Sequence, residues 1–128
     1  MIRPRYNNRM PLRAIRAALG LLLIALCLEA AGPGFRSRRQ FDEHYAKHGA
    51  EFGKVTQSEY LALAQTLRDA PKGREILEAA TPEGIISRFD RQHGYFGAFN
   101  PDRSIRTFFV PNDGERYFQR QARKRDAR

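Results

Sequence analysis

At Gly84 the chain changes its period. Upstream, apolar residues recur at helical spacing, whereas downstream three short runs rich in β-formers follow one another. These runs are Ile85–Phe89, Tyr95–Phe99 and Ile105–Val110, separated by turn residues at 90–94 and 100–102. Connections of about five residues leave no room for crossover helices, so the strands must form an antiparallel meander. Helices first and antiparallel strands afterwards define an α+β fold. Pro111 closes the last strand, and Tyr117, Phe118 and Gln121 suit a final helix. No internal repeat is visible.

The helical half divides at its punctuation. Phe41 and Tyr45 give a first helix an apolar stripe, with Asp42 and Glu43 expected in its first turn and Gly49 as the residue that stops it. Thr56 followed by Glu59 reads as a capping box, and Tyr60, Leu61, Ala64 and Leu67 continue a second helix up to Pro71. A short third helix is expected over Arg74–Ala80.

The first helix carries the chemistry. His44, Lys47 and His48 stand at i, i+3 and i+4 and so share a face. Two imidazoles and an ammonium are poor core material, but they suit acid–base work on an anion. On the last strand, Arg106 and Thr107 point to opposite faces by strict alternation. Ile105, Thr107 and Phe109 then lie on one side and Arg106, Phe108 and Val110 on the other. Cleaving an RNA strand without a cofactor needs one group to take the 2′-OH proton, one to return a proton to the 5′-oxygen, and donors for the phosphorane. His44, His48, Lys47, Arg106 and Thr107 supply that inventory. Which histidine is base and which acid stays open, although the helix dipole favours a protonated His48. The spacing of His44 and His48 also admits zinc, with His93 or Glu51 as loosely placed third ligands. Both histidines equally suit a solvated face, Arg106 a cross-strand ion pair, and His93 a turn. Tyr95 and Phe96 suit either the core or stacking on a base.

Charge narrows the partners. The 128 residues carry 23 Lys and Arg against 14 Asp and Glu, and a net +5 remains over residues 33–128. A basic surface of this size is consistent with nucleic acid or an anionic membrane, and equally with ordinary solubility. The N-terminus follows its own logic. Five arginines precede an apolar block over 17–28, then small residues and helix breakers through Gly34, the three parts of an export signal. The block is short of the ~20 residues that cross a bilayer comfortably. The expected organisation is an export signal or anchor over 1–32, a basic linker over 33–40, a domain over 41–121 and a basic tail over 122–128. Cys27 is the only cysteine, so residues 33–128 form no disulfide.

The element H-x-x-K-H-G-x-E-F-G at 44–53, together with I-R-T-F-F-V-P at 105–111 and Y-F-Q-R-Q at 117–121, resembles bacterial polymorphic-toxin RNase domains. These stand at the C-terminus of contact-dependent inhibition proteins, in the barnase–EndoU–colicin–RelE nuclease superfamily. The resemblance implies a barnase-like α+β endoribonuclease, cleaving RNA (often tRNA) without metal or cofactor. It puts His44, Lys47, His48, Arg106 and Thr107 at catalytic positions, with Tyr117 as a further aromatic near the C-terminal end. It also implies an RNA substrate and an acidic immunity protein. The expected location is secreted or periplasmic, or the cytoplasm of a target cell. The chain departs from the pattern in following its own export signal rather than ending a long delivery protein. A monomer without stable membrane association is expected once the signal is gone. The alternatives are a non-enzymatic basic module binding nucleic acid or a cell surface, and a zinc hydrolase using His44 and His48.

Overall fold

Ser37 starts the first helix earlier than the apolar stripe suggests. In the computed structural model, which describes residues 32–126, its hydroxyl accepts the Gln40 N–H at 3.1 Å and caps α1 (Arg38–His48). Arg38 and Arg39, expected in a linker, therefore lie within the helix. They reach Asp42 (3.1 Å) and Glu43 (2.8 Å) one turn on, so those carboxylates pair along the helix instead of occupying its first turn. The export signal expected over 1–32 falls almost wholly outside the described residues. Among the described residues no helix is long and apolar enough to cross a membrane.

Gly49 does not end α1 in a left-handed conformation. Its φ of −54° is helical, and the chain runs on into a 3₁₀ turn (Gly49–Phe52), with the positive φ deferred to Gly53 at 89°. Glycine is required at 49 for space: a Cβ there would lie 2.7 Å from the Tyr45 ring. Tyr45 is held in place by its hydroxyl, which donates to the Val55 carbonyl at 2.6 Å. Thr56 then caps α2 (Gln57–Asp69) as its position suggests, accepting the Glu59 N–H at 3.1 Å.

The segment expected as a third helix is instead an edge strand. β1 (Ile76–Ala80), β2 (Ile86–Asp90), β3 (Tyr95–Phe99) and β4 (Ile105–Phe109) form one antiparallel sheet in chain order. Leu-Glu-Ala-Ala favours a helix locally, but pairing overrides that preference. Glu78 sits opposite Arg88, whose guanidinium binds it at 2.7 Å and also donates to the Leu67 and Ala70 carbonyls at the end of α2. One arginine thus ties β1 to β2 and satisfies acceptors that the helix end leaves open.

The sheet has a covered face on each side. Tyr60, Ala64 and Leu67 of α2 pack with Phe99, Ile105 and Phe108 on one face. On the other, Leu77, Phe89, Phe96 and Phe109 line up across the four strands, and the final helix α3 (Glu115–Asp126) lays Tyr117 and Phe118 against this group. Arg123 and Lys124, expected in a tail, belong to that helix. A β-bulge reconciles the two faces. Thr107 pairs with Ala98, yet Ile105 pairs with Phe99, so Arg106 is an extra residue on β4. Strict alternation therefore fails. Ile105 joins Phe108 on the α2 side, while Thr107 shares the α3 side with Phe109.

β4 is an edge strand, and its outer rim is covered. The Ile105 N–H donates to the Gly34 carbonyl at 2.9 Å beside a parallel bridge from Phe35, and the Val110 N–H donates to the Glu51 carboxylate at 2.9 Å. The arm at Gly32–Phe35 is held from α2, where Gln65 donates to the Gly32 and Pro33 carbonyls and Arg68 to that of Pro33.

Gly49→Ala is expected to destabilise the fold by about 1–3 kcal/mol, the usual cost of overpacking. A lowered urea midpoint checks this, and an unchanged midpoint contradicts the packing described. Asp69 supplies a pH-dependent test. Its hydrogen bonds from Arg68, reinforced by the charges of Arg68 and Arg103 against the opposing effect of burial, hold its carboxyl below the ordinary range. A depressed folded-state value gives stability that is present above the unfolded pKa of about 3.9 and lost as pH falls through the folded value. Asp69→Asn should therefore show a shallower loss of stability below about pH 4 than the parent. Identical acid limbs would contradict the pairing.

Candidate active site

α1 runs beside β4, and its two histidines meet that strand's neighbourhood at different points. His44 lies with its ring 4.9 Å from Phe35, the residue bridged to Ile105, and 6.2 Å from the His48 ring. His48 lies with its ring 5.3 Å from Phe109. Neither is a freely solvated surface residue, and the His48 side chain is only 15% exposed.

Their hydrogen bonds assign their protons. His44 Nδ1 is 2.8 Å from the Gln40 carbonyl, and His48 Nδ1 is 2.7 Å from Glu51 Oε2. A carbonyl and an ionised carboxylate can only accept, so each Nδ1 carries the hydrogen. In the neutral ring the lone pair is then on Nε2, the nitrogen that a reacting group must use. Glu51 is the organising residue: one oxygen holds His48 and the other receives the Val110 N–H. The imidazole is thus tied to the end of β4 through a single carboxylate.

Tyr117 reaches the same place from α3. Its ring lies 5.2 Å from Phe109 and 4.8 Å from Phe96, so His48 and Tyr117 flank one phenyl ring. The Arg120 guanidinium stands 5.8 Å from the Tyr117 ring centroid. Thr107 shares the face of Phe109 two residues before it, roughly 7 Å along the strand. Its hydroxyl makes no hydrogen bond among the described residues. Arg106 is further down the strand at the bulge, exposed, and donates to the Asn100 side chain at 3.0 Å. It is not the cross-strand ion-pair member that a plain strand would allow. Lys47 is exposed on α1 and has no carboxylate partner among the described residues.

His48 and Tyr117 thus meet at Phe109, with His44 one helical turn away on α1 and Thr107 on the same strand face two residues before Phe109. Lys47 and Arg106 make no hydrogen bond or ion pair with this group among the described residues. Phe96 is core, at 2% exposure. His93 sits in the β2–β3 turn, its Nδ1 2.7 Å from Asp90. Among the described residues no three His, Cys, Asp or Glu side chains converge as a metal site. Glu51, considered from sequence as a loose metal ligand, holds the imidazole instead. Its position three residues after His48, within one turn, was the available signal. Nothing in the sequence marked Phe109 as the shared wall.

No family model matches the chain, and no curated protein matches it.

Nitrogen-15 NMR of the imidazoles provides a direct check. The neutral His48 ring should show a protonated Nδ1 and a bare Nε2, and Glu51→Ala should move it toward the other tautomer. A protonated Nε2 in the parent protein would contradict the Glu51 assignment.

Proposed function

We propose that the chain is a metal-independent endoribonuclease that cleaves RNA by attack of the 2′-hydroxyl on the adjacent phosphate. The observation that carries this reading is the Glu51-held imidazole of His48 beside Phe109, with Tyr117 against the same ring and Thr107 on the same strand face. His48 Nε2 takes the 2′-OH proton, and the Glu51 carboxylate stabilises the imidazolium that forms. The 2′-oxygen bonds to phosphorus as the bond to the 5′-oxygen breaks. Protonated His44 returns a proton to that leaving oxygen. The Thr107 and Tyr117 hydroxyls, with Lys47 and Arg106, donate to the charge that builds on the phosphorane. The products are a 2′,3′-cyclic phosphate and a 5′-hydroxyl.

The motif resemblance supports the same reading, that of a bacterial toxin-type ribonuclease. On this reading the chain is exported through the signal expected over 1–32 and acts outside its maker's cytoplasm, or inside a target cell. Export spares the maker's own RNA. An acidic immunity protein that covers Lys47 and Arg106 would be its inhibitor.

The test is cleavage of total RNA by the full chain in excess EDTA. Cleavage should survive chelation, and His48→Ala should lower kcat/KM by about 10²–10⁴-fold, the usual contribution of a positioned acid or base. Loss of activity in EDTA would favour the zinc reading. Binding without cleavage would favour a non-enzymatic module.

A further inference from the structure

Most arginines of the described unit are matched to a carboxylate, as Arg88 is to Glu78 and Arg91 to Glu115. Three basic side chains on α3, among the described residues, are not. Arg116, Arg123 and Lys124 are exposed and have no carboxylate within salt-bridge reach among the described residues. With Arg120 they follow the i, i+4, i+7, i+8 spacing of a single helical stripe. That stripe spans about 12 Å along the axis at 1.5 Å per residue. Phe118 is buried against the sheet, so the stripe faces away from the core. A shallow open recess lies along it, lined by Glu115, Arg116, Gln119, Arg120 and Arg123.

The stripe is continuous with the candidate site. Arg120, in its middle, stands over the Tyr117 ring, and Tyr117 packs against Phe109 beside His48. Arg120 is held by Asp113, which fixes its guanidinium at this junction.

We infer that the outward face of α3 is a track for the phosphate backbone of single-stranded RNA, leading the strand to Tyr117 and the scissile phosphate. The inference takes its substrate class from the ribonuclease reading. Charge complementarity selects the backbone: guanidiniums and an ammonium in no salt bridge among the described residues match phosphates and carry no base preference. Extension along the helix lets the stripe take more than one phosphate of an extended strand, so it acts on a polynucleotide and not on a dinucleotide bound at the histidines.

The test uses the full chain carrying Arg116→Gln, Arg123→Gln and Lys124→Gln together, all at exposed positions. Binding of a labelled 2′-O-methyl RNA of about a dozen nucleotides, which has no free 2′-hydroxyl to cleave through, is titrated by fluorescence anisotropy against salt. Three lost phosphate contacts should reduce the slope of log K against log salt by about 2 units. Arg116→Lys with Arg123→Lys should keep the parental slope. Cleavage of a dinucleotide should be unchanged while kcat/KM on long RNA falls. An unchanged salt slope overturns the inference. So does loss of binding to phosphatidylglycerol vesicles with RNA binding intact, which would make the stripe a lipid contact. Because the binding arm needs no turnover, the two readings separate. A chain that binds RNA through the stripe but never cuts it loses the catalytic assignment alone. One that cuts with an unaltered slope loses the track alone.

Discussion

A strand at the rim of a sheet presents backbone groups that must find partners, and the last of these on β4 governs the rest of this molecule. The Val110 N–H is met by a side chain, the Glu51 carboxylate, where a further strand could have supplied a carbonyl. The same carboxylate grips His48. Closing the sheet edge and aiming an imidazole are thus one event. Gly49 allows it by letting the helix run into a tight 3₁₀ turn over the Tyr45 ring, which brings Glu51 round to the strand end. Tyr60 strengthens the same corner, its hydroxyl donating to the Phe108 carbonyl at 2.5 Å. Burial, aided by the nearby Glu51 charge, pushes that phenol well above its ordinary pKa and keeps it a neutral donor.

Where local chemistry and tertiary demand agree, the sequence is readable. The Thr56 cap, the Pro71 boundary, the strand Tyr95–Phe99 and the α+β order could all be read in advance, because each depends on residues close together in the chain. Ile76–Ala80 could not. Its composition is helical, and pairing with β2, where Arg88 ten residues on binds Glu78, makes it a strand. The start of α1 differs from the sequence pattern for a related reason: a lone Ser37 hydroxyl counts for more at a helix end than a run of arginines suggests.

The site was legible in part. Helical spacing put His44 and His48 on one face, and the structure keeps both beside β4. The relation of Arg106 to Thr107 was not legible, because it depends on a bulge. One extra residue at Arg106 shifts the phase of β4, placing Ile105 with Phe108 and Thr107 with Phe109. No alternation rule contains that information. Phe109, which both His48 and Tyr117 pack against, reads in the sequence as one more core aromatic.

The chemistry proposed for this corner has a signature independent of any variant. Phosphorus-31 NMR of RNA cut by the protein in EDTA reads the new chain ends directly. Attack by the 2′-hydroxyl, driven by an imidazole that Glu51 holds at Nδ1, predicts 2′,3′-cyclic phosphate resonances as the first products. New 5′-phosphate ends with no cyclic phosphate at any time would mean that water is the nucleophile, and would contradict the account.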